Sequence, residues 1–403
     1  MKPRTRKILG ALFAVLAVLG VWISLAVRAN VAFAQQAPAM ARFHLGGNAV
    51  EIPARFVDYL VFLPAGVNEG QPSLFQLDST VAVSTIDPGR AAELGLTSLQ
   101  SPVLNLSGVD LSLASLAAAT KKDFGAQVGR AYEGTLGSDF FSGAVIEINY
   151  ARQTVRLYDP ATYQYSGRGK AMKLTFVAGL PVVHAKILVS SGKPVEGDFV
   201  VNTALDASLV VSQKFQRAHN LLSHLKTIPS TDFQPDGGAV LGRVKDFEIG
   251  PFAVADTIGA FPHGNSLADT APHLAGEIGG GMLRRFIVTF DYPHQQIIFD
   301  PSSDIRVDEI EDMSGIVLTA GGPDLKRFEV TQVWPGTPGA DAKIQKGDVI
   351  AGVNDEAAAD MSLAEIRRLF RQPAIKYKLL IQRGSQTLTV NLQMRHLLYL
   401  RSG

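Results

Sequence analysis

From about residue 40 onward, apolar and polar positions alternate with a period of two in short runs broken by Gly, Pro and Asn. That pattern predicts a chain built mostly of β-strands with few helices. The stretches "AVEIPARFVDYLVFLPAGV" (49–67) and "AMKLTFVAGLPVVHAKILV" (171–189) both carry the alternation and are rich in β-branched and aromatic residues. Each leads through a glycine-bearing loop into an apolar strand, "PSLFQLDST" in one case and "EGDFVVNTA" in the other. A further apolar run and a short helix candidate follow each, "DPGRAAELGL" and "SQKFQRAHNLL".

The parallel continues downstream. "GTLGSDFFSGAVIEINYARQTVRLYDP" (134–160) matches "GEIGGGMLRRFIVTFDYPHQQIIFDP" (276–301) in order and spacing of features. Both read Gly-x-hydrophobic-Gly, then a β run ending at a Tyr turn, a Gln, and a closing strand into Asp-Pro. Tyr150 aligns with Tyr292 and Gln153 with Gln295. Residues 41–165 and 166–305 therefore read as two copies of one plan.

Composition adds limits. The 403 residues are enough for two or three domains, and a net charge of +1 offers no basic footprint for nucleic acid. No cysteine is present, which excludes disulfides, thiolate metal sites and a cysteine nucleophile. Lys2, Arg4, Arg6 and Lys7 precede an uncharged apolar run over 8–27, and Ala32-Phe33-Ala34 fits a small-x-small cleavage site. Residues 1–34 are expected to be a secretory signal, or an uncleaved anchor with membrane contact through 8–27. Either leaves the rest of the chain exported, in a bacterium to the periplasm or the periplasmic side of the inner membrane.

Strand, Asp-Thr/Ser-Gly, apolar strand, helix and a later hydrophobic-hydrophobic-Gly is the plan of the retropepsin-like aspartic proteases, and the two halves of this chain together resemble it. The resemblance runs over about residues 41–301 and implies a bilobed, mostly β fold. The family's chemistry uses two carboxylates, one per lobe, that share a proton: one activates water while the other polarises the scissile carbonyl. Carried onto this sequence, the first motif is Asp78-Ser79-Thr80 and the second is Asn202-Thr203-Ala204. Ser79 and Thr203 keep the supporting hydroxyls. Asn202 stands where the second aspartate belongs, and an amide does not exchange a proton at neutral pH. Thr80 and Ala204 replace glycines and are expected to crowd the two loops. Asp206 falls on the outgoing loop. Asp78 is thus a carboxylate in the catalytic position without its partner.

After the acidic stretch "PSSDIRVDEIEDMSG", residues 312–396 resemble a PDZ domain, most specifically in "KGDVIAGVN" (346–354). That family binds an extended peptide, or a protein C-terminus, as an added strand, its carboxylate held by the loop before the strand. The resemblance implies a pairing strand near 328–333 with Phe328 and Val330, a loop at "PDLKRF", and a facing helix "SLAEIRRLF" with Ile366 and Leu369. The plain alternative for these apolar residues is core packing.

Other signals carry no chemistry. Gly279-Gly280-Gly281 lacks the Lys and Ser/Thr of a phosphate loop, and "GGAVLG" (237–242) reads as a hairpin. His219 and His224 are five apart, wrong for two metal ligands on one helix face, and no Gly-x-Ser-x-Gly elbow exists. No cofactor and no metal is expected. Two functions stay open: an exported peptide-binding protein on a degenerate protease fold, and an active aspartic endopeptidase using Asp78 with another carboxylate.

Overall fold

A computed structural model describes residues 40–398 apart from 45–46, 97, 121, 190–192, 231–237 and 272. The expected export signal over 1–34, or anchor through 8–27, falls outside the described residues. Among the described residues no helix is long and apolar enough to cross a membrane.

The chain is mostly β, as its alternation predicts. The elements that position the site in the first half are β1 (Ala49–Ile52), β2 (Leu60–Val67), β3 (Ser73–Leu77) and β4 (Thr85–Ile86). Helices α1 (Pro88–Glu93) and α2 (Lys122–Val128) follow, then β5 (Gly134–Leu136), β6 (Val145–Asn149) and β7 (Thr154–Tyr158). The second half runs β8 (Lys170–Lys173), β9 (Leu180–Leu188), β10 (Val195–Val201), β11 (Leu209–Val211) and α3 (Gln213–Ala218). It closes with β12 (Leu274–Ile278), β13 (Phe286–Asp291) and β14 (Gln296–Pro301). Both expected helices form for local reasons. Asp87 caps α1 by accepting from the Gly89 and Arg90 amides, with Pro88 at the first turn, and Ser212 caps α3 through the Phe215 amide.

Strand pairing repeats between the halves. β3 runs parallel to β5, which is antiparallel to β4; β10 runs parallel to β12, which is antiparallel to β11. The shared Gly-x-hydrophobic-Gly has a steric cause. A Cβ at Gly134 would run into the Thr85 carbonyl oxygen, and one at Gly276 into that of Val210. Only glycine lets these strands approach so closely.

One six-stranded sheet, in the order β8-β14-β13-β6-β7-β1, contains strands of both halves. Its seam is the antiparallel pair β6–β13, with Ile146 opposite Phe290 and Ile148 opposite Val288. The buried apolar core is accordingly continuous from Ile52 to Phe299.

A separate core running from Met313 to Met394 belongs to the C-terminal module. Its sheet has the order β15 (Ile316–Gly321), β16 (Arg327–Val333), β17 (Val349–Val353), β18 (Lys376–Arg383), β19 (Gln386–Gln393). Helix α4 (Leu363–Phe370) opens with a capping box between Ser362 and Glu365, which fixes its start at the serine of "SLAEIRRLF".

The acidic stretch between core and module is pinned. Glu309 accepts from the Ser208 hydroxyl at 2.6 Å and the Ile258 amide at 3.0 Å. Arg243 donates to the Glu309 carbonyl at 3.0 Å and pairs with Glu311 at 3.3 Å, both side chains being almost fully buried. Glu311 also accepts the Leu397 and Leu398 amides, each at 2.9 Å. Trp334 donates its indole N–H to the Ser230 carbonyl at 2.8 Å. The end of the acidic stretch, from Glu309 on, is thus a clasp between the second half and the module.

Candidate functional site

β3 and β10 each run directly into the same kind of turn, at Asp78 and at Asn202. The Asp78 amide donates to the Leu136 carbonyl and the Asn202 amide to the Ile278 carbonyl, each at 2.9 Å. The residues that follow lock together. The Ser79 amide donates to the Thr203 hydroxyl at 3.0 Å, and the Thr203 amide to the Ser79 hydroxyl at 3.1 Å. Each hydroxyl then donates across the junction, Ser79 to the Val201 carbonyl at 2.6 Å and Thr203 to the Leu77 carbonyl at 2.9 Å. Four buried bonds therefore hold the two turns, and Asp78 and Asn202 with them, side by side. Both residues are nearly buried, at 9% and 8% exposure.

The side chains are held differently. Asp78 Oδ1 accepts both the Thr80 amide, at 3.0 Å, and the Thr80 hydroxyl, at 2.6 Å. Its Oδ2 has no protein hydrogen-bond donor among the described residues. Asn202 Oδ1 accepts the Ala204 amide at 3.0 Å, while its Nδ2 donates to Glu277 Oε2 at 2.8 Å. Neither Thr80 nor Ala204 has a positive φ, so a Cβ carries no backbone strain there. The Thr80 hydroxyl instead becomes a second donor to Asp78. Asp206 turns away to accept the Tyr59 amide at 2.8 Å.

Glu277 was not among the residues expected here. It is buried at 3% exposure on β12, opposite Val200, and burial pushes its carboxyl above the ordinary value, with the Asn202 hydrogen bond pulling the other way. Its counterpart in the first half is Thr135, whose hydroxyl bonds to that of Thr85 at 2.7 Å. The departure at this one position between "GTLG" and "GEIG" was a readable signal. Tyr132 is a second unforeseen neighbour. Burial raises its phenol, and the negative charge of Asp78 raises it further. Its ring packs edge-on against Phe62 with centroids 5.3 Å apart. Tyr292, expected only as a repeat marker, is also raised, first by burial and then by Asp78.

In the C-terminal module the expected pairing strand is corrected. β16, which carries Phe328 and Val330, is paired to β15 on one side and β17 on the other. Phe328 and Val330 are fully buried, as is Ile366 on α4, and Leu369 packs on the same core. These residues are core. The sheet edge beside α4 is β15, and "PDLKRF" forms the β15–β16 hairpin turn, with Gly322 and Leu325 at positive φ. The loop before the edge is 312–315. There Asp312 Oδ1 accepts the Ser314 amide at 2.8 Å and its hydroxyl at 2.5 Å, and the Ile316 amide donates to the Ser314 hydroxyl. Among the described residues no cluster suited to a metal ion is present.

A family model for the PDZ domain matches residues 305–382, so the C-terminal module is a PDZ domain. No curated protein matches the chain. Similar solved structures include a photosystem II D1 C-terminal processing protease, 24% identical, covering 20% of this chain and 22% of that one, with a TM-score of 0.19. Thus the match spans less than a quarter of that protease. An aspartic proteinase from Irpex lacteus is 11% identical and covers 64% of this chain and 99% of that one, with a TM-score of 0.40. A retropepsin-like aspartic protease from Rickettsia conorii is 17% identical, covering 34% and 96%, with a TM-score of 0.25.

Proposed function

We propose that the protein binds extended polypeptide in a bilobed, aspartic-protease-like site that no longer cleaves, and that its PDZ domain adds a second polypeptide contact. One observation carries this reading: the side chain facing Asp78's half of the junction is Asn202, and its amide is committed to Glu277. Proton sharing between two carboxyls is the heart of the acid–base step. Asp78 can orient water or a peptide carbonyl, and the residue in the partner position is an amide, not an acid. Incubating the protein with a diverse peptide library from pH 3 to 7, with mass-spectrometric readout, tests this. No cleavage is expected; cleavage abolished by Asp78→Ala would refute it.

A second reading rests on Glu277. A buried carboxyl whose proton is held more tightly is in direct contact with Asn202. An endopeptidase working through it would lose activity in both Asp78→Ala and Glu277→Gln. The basic, apolar N-terminus supports export to a bacterial periplasm, with cleavage or anchoring through 8–27. Fractionating cells that express the full chain would check it.

A further inference from the structure

In a PDZ domain the groove that takes an extended peptide lies between the open sheet edge and the neighbouring helix. Here that groove is bounded by β15 and α4, and it is not empty. Helix α2 of the first half lies against β15. Gly129, one residue past α2 and at φ +74°, approaches the start of α4 so closely that a Cβ there would sit 2.6 Å from Leu363 Cβ. Val128 and Tyr132 form one apolar cluster with Val57, Leu60 and Phe62, and Ala364 of α4 packs against it. Arg367 of α4 donates to the Leu318 carbonyl of the edge strand at 3.1 Å. Beyond the end of α4, Arg371 pairs with Asp58 at 4.0 Å.

We propose that residues 122–130 are an intramolecular occupant of the PDZ groove, which an incoming extended polypeptide must displace. The displaced segment leads directly to Tyr132, which lies within the field of Asp78. A sheet edge has to be covered or used, and here the same chain covers it with a helix, which adds no strand to it. The proposal rests on the polypeptide-binding reading only in naming the competitor.

The test uses the full chain, whose lack of cysteine makes paired spin labels straightforward. Gln127→Cys and Arg368→Cys put labels on exposed positions of α2 and α4. The probe is a pool of random ten-residue peptides, on an Asp78→Ala background so that hydrolysis cannot intervene. The expected result is one short label distance that lengthens when the pool saturates the protein. Ala364→Arg, which drives a charge into the Val128–Tyr132 cluster, should lengthen the distance without peptide and tighten pool binding by about tenfold or more. Should Ala364→Arg not fold, Gly129→Ala presses on the same contact from the other side. Pool binding that leaves the distance unchanged, or equal affinity with the contact intact and opened, overturns the proposal. Cleavage by the chain with Asp78 intact would instead overturn the non-cleaving reading and leave this one standing.

Discussion

Asn202 and Glu277 form a buried amide–carboxylate pair at 2.8 Å, in the place where the resemblance to aspartic proteases implies an ionisable aspartate. The pair explains why asparagine is stable there. A carboxylate at 202 would face a second carboxylate in a site too buried to solvate either.

Asn202→Asp should therefore destabilise the protein, by about 1–3 kcal/mol, rather than simply supply the missing catalytic group. The double variant Asn202→Asp/Glu277→Gln should recover most of that loss. Urea unfolding of the three proteins at pH 7 checks it; equal stability of the wild type and Asn202→Asp would show that the pair is not coupled.

Glu277 also predicts a pH dependence. Its folded-state affinity for a proton is raised by burial above the ordinary 4.5. Its contribution to stability is thus fully present below pH 4.5 and is lost as pH rises through the folded value. Glu277→Gln keeps an acceptor for Asn202 and cannot ionise. From pH 4 to 7 the variant should gain stability relative to the wild type. Parallel denaturation curves across that range would contradict this.

The reciprocal bonds of Ser79 and Thr203 hold the two halves at the site. Replacing either with alanine leaves the facing residue's buried amide without its hydroxyl partner, at a cost of about 1–3 kcal/mol. The two hydroxyls make separate bonds but belong to one network across the junction, so the two costs should not simply add. Thermal unfolding of the three variants gives the coupling directly.

At the clasp, Arg243→Met strands the carboxylate of Glu311. The Leu397 and Leu398 amides still donate to it, so the cost should sit at the low end of a broken buried pair, about 3 kcal/mol. The visible consequence should be new protease sensitivity within residues 302–312. A digestion pattern unchanged from wild type would mean that the clasp is redundant.

The loop before β15 spends its Ser314 and Ile316 amides on Asp312 and the Ser314 hydroxyl. A free terminal carboxylate gains little from them. Amidating the C-termini of the peptide pool should change its affinity for Ala364→Arg by less than about twofold. Asp312→Ala should restore a preference for the free acid; a strong preference already present with Asp312 intact would refute this.

What could be read from the sequence was what local chemistry dictates. The glycines at 134 and 276, the caps at Asp87 and Ser212 and the Asp78/Asn202 correspondence all follow from features within a few residues. Strand order in the PDZ sheet does not. Phe328 and Val330 alternate as well as Ile316 and Leu318 do, and only the long-range pairing decides which strand is the edge. Gly129 against Leu363 joins residues more than 230 positions apart, and no pattern near either one announces the contact.

The β6–β13 seam has a consequence for how the chain could be divided. Equivalent strands meet antiparallel there, which is the self-complementary arrangement of a two-fold homodimer. The covalent connection between them, around residues 160–169, is largely exposed. Residues 40–165 and 166–398 produced as separate polypeptides should then reassemble on co-expression, because the tie between the halves is a strand ladder and not the peptide bond that links them.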